Sequence, residues 1–208
     1  MACAWLCAAL ETAEPGIPER LRDEVSQGDW RAVCRLVESG VGSPPTTSAG
    51  RLFDAVAAIC GLRARVNHEG QAAMELEGCC DPAEPGAYPM PLIAAGGGPT
   101  IIDARQTVAA LVSDLARGAE VGAVAARFHR GLATATAAAL TYEANARGLE
   151  AAVLSGGVFQ NRTLLEAVAS ELRGVGLRVL IPQMLPPNDG QISYGQVVVA
   201  IARERGSG

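Results

Sequence analysis

A chain of 208 residues has room for one large domain or two small ones, and with 49 % hydrophobic and only 19 % charged residues it can bury a sizeable core. A net charge of −5 and an aromatic content of 4 % argue against a broadly basic or base-stacking surface, so no nucleic-acid partner is expected. No apolar run approaches the ~18 residues that a membrane helix needs, and no membrane partner is expected.

The opening MACAWLCAAL predicts a helix over residues 1–10. It has no basic segment before it and acidic residues follow, unlike a secretory signal, so a cytoplasmic protein is expected. Six cysteines, Cys3, Cys7, Cys34, Cys60, Cys79 and Cys80, include no CxxC pair, which suits buried or free thiols in a reducing compartment. Residues 18–39 carry helical spacing at Leu21, Val25, Trp30, Val33, Leu36 and Val37, with an interruption at Gly28. Turn chemistry over 39–50 leads to a helix at 51–61 that Gly61 ends. EGQAAMELE, residues 69–77, predicts an amphipathic helix with Met74 and Leu76 in the core.

Residues 78–100 are rich in Pro and Gly, and Pro89 and Pro91 demote PLIAA, residues 91–95, to an edge strand or a loop. Asp103 with Gln106 resembles a capping box at the head of a helix over 104–117. Val108, Leu111, Val112 and Leu115 form its apolar stripe. Residues 120–147 predict a long Ala-rich helix suited to close packing, with His129 on its surface. His68 and His129 belong to no HxxxH or HExxH pattern, so no metal site made of this chain's histidines is expected.

Strands are predicted at 150–155 and 177–182 around a helix at 161–174, capped by Asn161 and ended by Gly174 or Gly176. Strand, helix, strand at this length gives a parallel pair with a right-handed crossover. A last helix is predicted at 191–204, so the fold class is α/β, a mostly parallel sheet flanked by helices.

Three stretches could carry chemistry. In VLSGGVFQNRTLLEAV, residues 153–168, Gly156 and Gly157 lie between a strand end and a helix start, where free N–H groups can seat an anion or nucleotide. The same turn can be a simple bend. In PPNDGQISYGQ, residues 186–196, Asp189 follows the second strand, where a carboxylate can hold a hard metal or orient a phosphate. The alternative is an Asx turn made by Asn188 or Asp189. Asp54 is a lone acid in an apolar helix, with no obvious polar partner on its face: it either sits at an exposed edge or faces a ligand.

SAGRLFDAVAAICGL, EGQAAMELE, LSGGVFQNRTLLE and PPNDGQISYGQ occur in that order. Together they resemble the C-terminal part of the HypF carbamoyltransferases of hydrogenase maturation, over residues 1 to about 203. The resemblance implies one lobe over 1–208, the second lobe of an actin-like (ASKHA) ATPase fold. It implies chemistry in which carbamoyl phosphate and ATP, with Mg2+, give carbamoyl-adenylate, and the carbamoyl group passes to the C-terminal cysteine of a HypE-like acceptor protein. Carried over by motif, Asp54 contacts the ribose and Gly70 lets the nucleotide approach. Gly156 and Gly157 lie by the phosphates, Asn161 reaches the nucleoside, and Asp189 ligates a metal. The family's HxxxH pair, which completes a zinc or iron site, belongs to the first lobe. Activity of this chain alone is therefore not expected, and the transition metal only where that lobe supplies its histidines. The family usually has Tyr at the place of His68 and Gly at that of Gln191. The alternatives are a non-catalytic HypE- or nucleotide-binding remnant and another actin-like kinase lobe.

Overall fold

The computed structural model describes residues 1–94 and 98–205, which form two compact units, Met1–Ala139 and Leu140–Gly208. In the first unit α1 (Ala2–Leu10) precedes a 3-10 turn at Glu19–Leu21, then α2 (Gln27–Ser39), α3 (Ala49–Ile59) and α4 (Gln71–Gly78). Strands β1 (Leu92–Ala94) and β2 (Thr100–Ile102), helix α5 (Arg105–Ala116) and the first part of α6 (Val121–Arg147) complete it. The helix predicted over 18–39 breaks earlier than Gly28. Ser26 starts α2 by accepting the Asp29 N–H at 3.0 Å, which leaves Gly28 inside the helix. Of its predicted stripe Trp30 is buried, whereas Val33 and Leu36 are exposed.

Ser48 caps α3 by accepting the Arg51 N–H. Gly61, at φ +75°, closes it while the Leu62 N–H reaches back to the Ala57 carbonyl at 3.0 Å. In α4, Leu76 is buried but Met74 is 56 % exposed, which corrects its assignment to the core. Two residues apart on a helix, these side chains point in nearly opposite directions. The capping box at Asp103 is also corrected: its carboxylate accepts the Arg105 N–H at 3.0 Å and pairs with the Arg105 side chain, one residue before Gln106. Val108 and Leu111 are buried as the stripe predicts.

The chain between Cys79 and Met90 lies along α6. Asp81 and Tyr88 donate their N–H groups to the carbonyls of Gly122 and Arg127 at 3.0 and 3.1 Å. Two glycines of α6 make this approach possible: a Cβ at Gly122 would stand 2.8 Å from the Cys79 carbonyl oxygen, and one at Gly131 would collide with that of Tyr88. Arg127 then bridges Glu84 at 2.9 Å and Asp114 at 2.7 Å. The Tyr88 hydroxyl donates to Asp114 at 2.7 Å, and with Arg117 and Arg127 it holds that carboxyl below the usual range.

Beside this seam, Phe53 and Phe128 meet edge to face with centroids 5.0 Å apart, both fully buried. His129, expected on the surface, is 2 % exposed and packs on Phe53. Its Nδ1 lies 2.8 Å from the Ala125 carbonyl and 3.3 Å from Cys80 Sγ. Burial pushes the Cys80 thiol up to about 12 and the His129 imidazole down, so the pair is two neutral groups rather than a thiolate beside an imidazolium.

PLIAA contributes β1, which pairs antiparallel with β2, Leu92 opposite Ile102; its Ala95 lies outside the described residues. In the second unit, the last part of α6 leads to β3 (Ala151–Val153), a 3-10 turn (Gly157–Gln160), α7 (Arg162–Gly174), β4 (Arg178–Leu180) and α8 (Gln191–Arg205). β3 and β4 are parallel, with Ala151 opposite Arg178 and Val153 opposite Leu180, as the strand–helix–strand pattern predicts. Leu164, Val168, Ala169 and Leu172 form the buried face of α7, and Gly176 at φ +87° ends it. Among the described residues the sheets are two two-stranded pairs, one antiparallel and one parallel, rather than one mostly parallel sheet. Ile192, Tyr194, Val197, Val198, Val199 and Ile201 of α8 are exposed. No helix among the described residues is long and apolar enough to cross a membrane.

Truncating Phe53 to Ala removes a fully buried ring, and a loss of about 3–5 kcal/mol in urea unfolding is expected. His129 makes a pH signature. Because its folded imidazole binds a proton more weakly than the unfolded one, stability is full above about pH 6.5 and declines as the pH falls below it. Urea midpoints taken between about pH 8 and about pH 5 are expected to show this slope in the parent and to lose most of it in His129→Gln.

Candidate functional site

The turn after β3 is built around Gly156. Its backbone, φ +103° and ψ 159°, is closed to L side chains. Leu154 continues the β-ladder by donating to the Leu180 carbonyl at 2.9 Å, and the Gly156 N–H donates to the Pro187 carbonyl at 2.6 Å. The expectation that both glycines present N–H groups to a phosphate is therefore modified: that of Gly156 is already used inside the protein. The N–H groups of Gly157 and Val158 have no acceptor among the described residues. Gly157 is exposed, and a Cβ built on it meets nothing within 4 Å.

Asn161 is buried at the head of α7 and its Oδ1 accepts the Leu164 N–H at 2.8 Å, the cap that the sequence predicts. This leaves the 3-10 turn Gly157–Gln160 and the positive end of a thirteen-residue helix on one side of the parallel pair. The loop that carries Asp189 is tied to the same turn through Pro187. In that loop the Asx turn belongs to Asn188, whose Oδ1 accepts the Gly190 N–H at 3.1 Å. Asp189 is exposed and its carboxylate has no protein partner among the described residues. The Gln191 side chain folds back and donates to the Pro186 carbonyl. The second unit thus brings Gly156, Gly157, Asn161 and the Asp189 loop together.

Asp54 and Gly70 belong to the first unit. Asp54 is 22 % exposed at its side chain and pairs with Arg51 one turn earlier at 3.2 Å, a polar partner that sequence reading did not find. Gly70 is the residue before α4, at φ +78°, with open space where a Cβ would go. Gln71 beside it is buried, accepts the Asn67 N–H at 2.8 Å and donates to Glu75 at 3.2 Å, holding the turn 67–70. The motif EGQ contains Gln71, but only the returning hydrogen bond reveals its part.

A single exposed carboxylate does not hold a metal by itself. Asp189 has the chemistry of one oxygen ligand and would need others, and no imidazole stands with it among the described residues.

A family model described as the carbamoyltransferase, Kae1-like domain, second subdomain matches residues 1–196, and the chain belongs to this family. It is 35 % identical over 192 residues to the carbamoyltransferase HypF2 of Cupriavidus necator, covering 82 % of this chain and 24 % of that protein. It is 39 % identical over 201 residues to the carbamoyltransferase HypF of Rhodobacter capsulatus, covering 96 % of this chain and 25 % of that protein. The chain thus spans about a quarter of the length of these relatives. The crystal structure of full-length HypF in a phosphate- and nucleotide-bound form superposes with a TM-score of 0.83 at 30 % identity, over 95 % of this chain and 26 % of that one. HypF of T. kodakarensis, at a TM-score of 0.73 and 20 % identity over 96 % of this chain and 25 % of that one, shares the fold.

The cap is separable from any ligand. Asn161→Ala is expected to lower the unfolding free energy by about 1 kcal/mol, whereas Asn161→Asp, which keeps an acceptor for the Leu164 N–H, stays within a few tenths; urea unfolding of the three proteins checks this.

Proposed function

We propose that this chain is the second lobe of an actin-like carbamoyl-transfer domain, acting within a HypF-like carbamoyltransferase. The observation that carries the reading is the turn at Gly157, with unused N–H groups at the carboxyl end of a parallel strand and open space before them. In this reading phosphate oxygens of Mg2+–ATP accept from the N–H groups of Gly157 and Val158. Asn161 meets the nucleoside while its Oδ1 keeps the cap on α7. Asp54 accepts from the ribose hydroxyls, with Arg51 orienting its carboxylate. Gly70 lets the nucleotide approach the backbone.

The reaction proposed for the whole enzyme has two transfers. Carbamate, released from carbamoyl phosphate by water with loss of inorganic phosphate, attacks the α-phosphorus of ATP through its oxygen. Pyrophosphate leaves and carbamoyl-adenylate forms. The thiolate of the C-terminal cysteine of a HypE-like acceptor then attacks the carbamoyl carbon, and AMP departs. The residues named here bind and orient the nucleotide. A mixed anhydride of this kind also needs protection from water, which the first lobe of the whole enzyme, closing over the site, supplies in this reading. No step is assigned to a transition metal, because among the described residues Asp189 stands without a second candidate ligand beside it.

Isothermal titration of the chain with ATP and Mg2+ tests the reading. Gly157→Val puts a branched side chain into the space that is open at its Cβ and is expected to abolish or strongly weaken binding. Losing one polar contact costs ~1–3 kcal/mol, so Asn161→Ala is expected to bind about tenfold or more weakly. Asn161→Asp, with its cap kept and its amide donor gone, weakens with it. If all three bind as the parent does, the turn is only a bend and the reading fails.

A further inference from the structure

Spacing alone gave the cysteines no metal pattern, but the first unit gathers three of them. Cys3 and Cys7, four residues apart, share a face of α1. Helix α2 packs on α1 and brings Cys34 to that face, with Cys34 Sγ 3.3 Å from Cys3 Sγ. All three sulfurs lie within 4.8 Å of one another. Three thiolates bound tetrahedrally to zinc, at about 2.3 Å each, stand about 3.8 Å apart, so small side-chain adjustments convert this cluster into a ligand set. One turn before Cys34, Trp30 is buried and its Nε1 donates to the Pro15 carbonyl at 2.7 Å, which fixes the chain that leaves α1. Cys7 is half-buried and donates to the Ala13 carbonyl at 3.7 Å, while Cys3 and Cys34 are buried. The cluster thus has two inner sulfurs and one facing the way in.

We propose that Cys3, Cys7 and Cys34 form a binding site for a thiophilic d10 cation, zinc(II) or copper(I). Three sulfur donors with no carboxylate among them select a soft ion over magnesium or calcium. On binding, three S–H bonds are replaced by three sulfur–metal bonds and three protons pass to the solvent; no electron is transferred. The open side at Cys7 leaves a position for water or a small exogenous donor. The site uses none of the nucleotide residues and does not rest on the proposed carbamoyl transfer.

The test is an anaerobic titration of the fully reduced 208-residue chain. Cobalt(II) serves as the spectroscopic probe for the zinc arm, and copper(I) supplied from a chromogenic chelator serves for the other. One equivalent is expected to bind, with a sulfur-to-metal charge-transfer band that zinc abolishes by displacing cobalt. Copper bound without cobalt assigns the site to copper(I). Cys7→Ser and Cys34→Ser are each expected to weaken binding by about tenfold or more, and Cys79→Ser, outside the cluster, to leave it unchanged. Cys7 is half-exposed, so its replacement does not depend on repacking the core, and circular dichroism confirms that the helices persist. Absence of a thiolate band with both probes overturns the proposal. So does a band retained in Cys7→Ser and Cys34→Ser.

Discussion

The first unit depends on how closely a backbone can approach α6. Between Cys79 and Met90 the chain has little regular structure, and its polar groups need partners before it can be covered. α6 supplies carbonyls for it, but only because Gly122 and Gly131 carry no side chain where the neighbouring carbonyl oxygens lie. That contact places Glu84 and Tyr88 within reach of Arg127 and Asp114, so one arginine and one tyrosine answer two carboxylates at the edge of the core. It also sets Cys80 beside His129 and, through it, beside the Phe53–Phe128 pair.

The second unit solves a different problem. A parallel strand pair delivers its chain to one edge, and the return through α7 makes that edge the start of a helix. Asn161 satisfies one of the exposed N–H groups there, and the 3-10 turn before it presents others. The Asp189 loop is fastened to the turn by a short backbone bond from Gly156 to the Pro187 carbonyl, so the exposed carboxylate of that loop and the start of α7 belong to one connected stretch of the second unit.

Much of this was readable beforehand. The cap at Asn161, the parallel pair and the helices near 51–61, 120–147 and 161–174 follow from local residue choice and periodicity, and the structure places them within a few residues of those bounds. The four ordered motifs also pointed to the family that the chain matches. What escaped depends on partners distant in sequence or on the rotation of a helix. His129 is buried because Phe53 and Cys80, 76 and 49 residues away, close over it. Met74 is outside because only one side of α4 meets α3. Arg51 beside Asp54 was legible as a spacing of three, but only the rotamers make it a pair. Cys34 joins Cys3 through the packing of two helices, which no spacing within either helix records.

The two neighbouring glycines of the turn differ as genetic reporters. Gly156 occupies a backbone region that other residues reach only under strain, and its N–H holds the Asp189 loop. Any missense change there deforms the turn whether or not a ligand exists, so a silent phenotype at codon 156 would be surprising and a damaging one uninformative. Gly157 has no such backbone demand and no neighbour to displace. Tolerance at codon 157 therefore reports on what arrives from outside the chain, and the pattern of accepted residues there, small or large, traces the outline of the visitor.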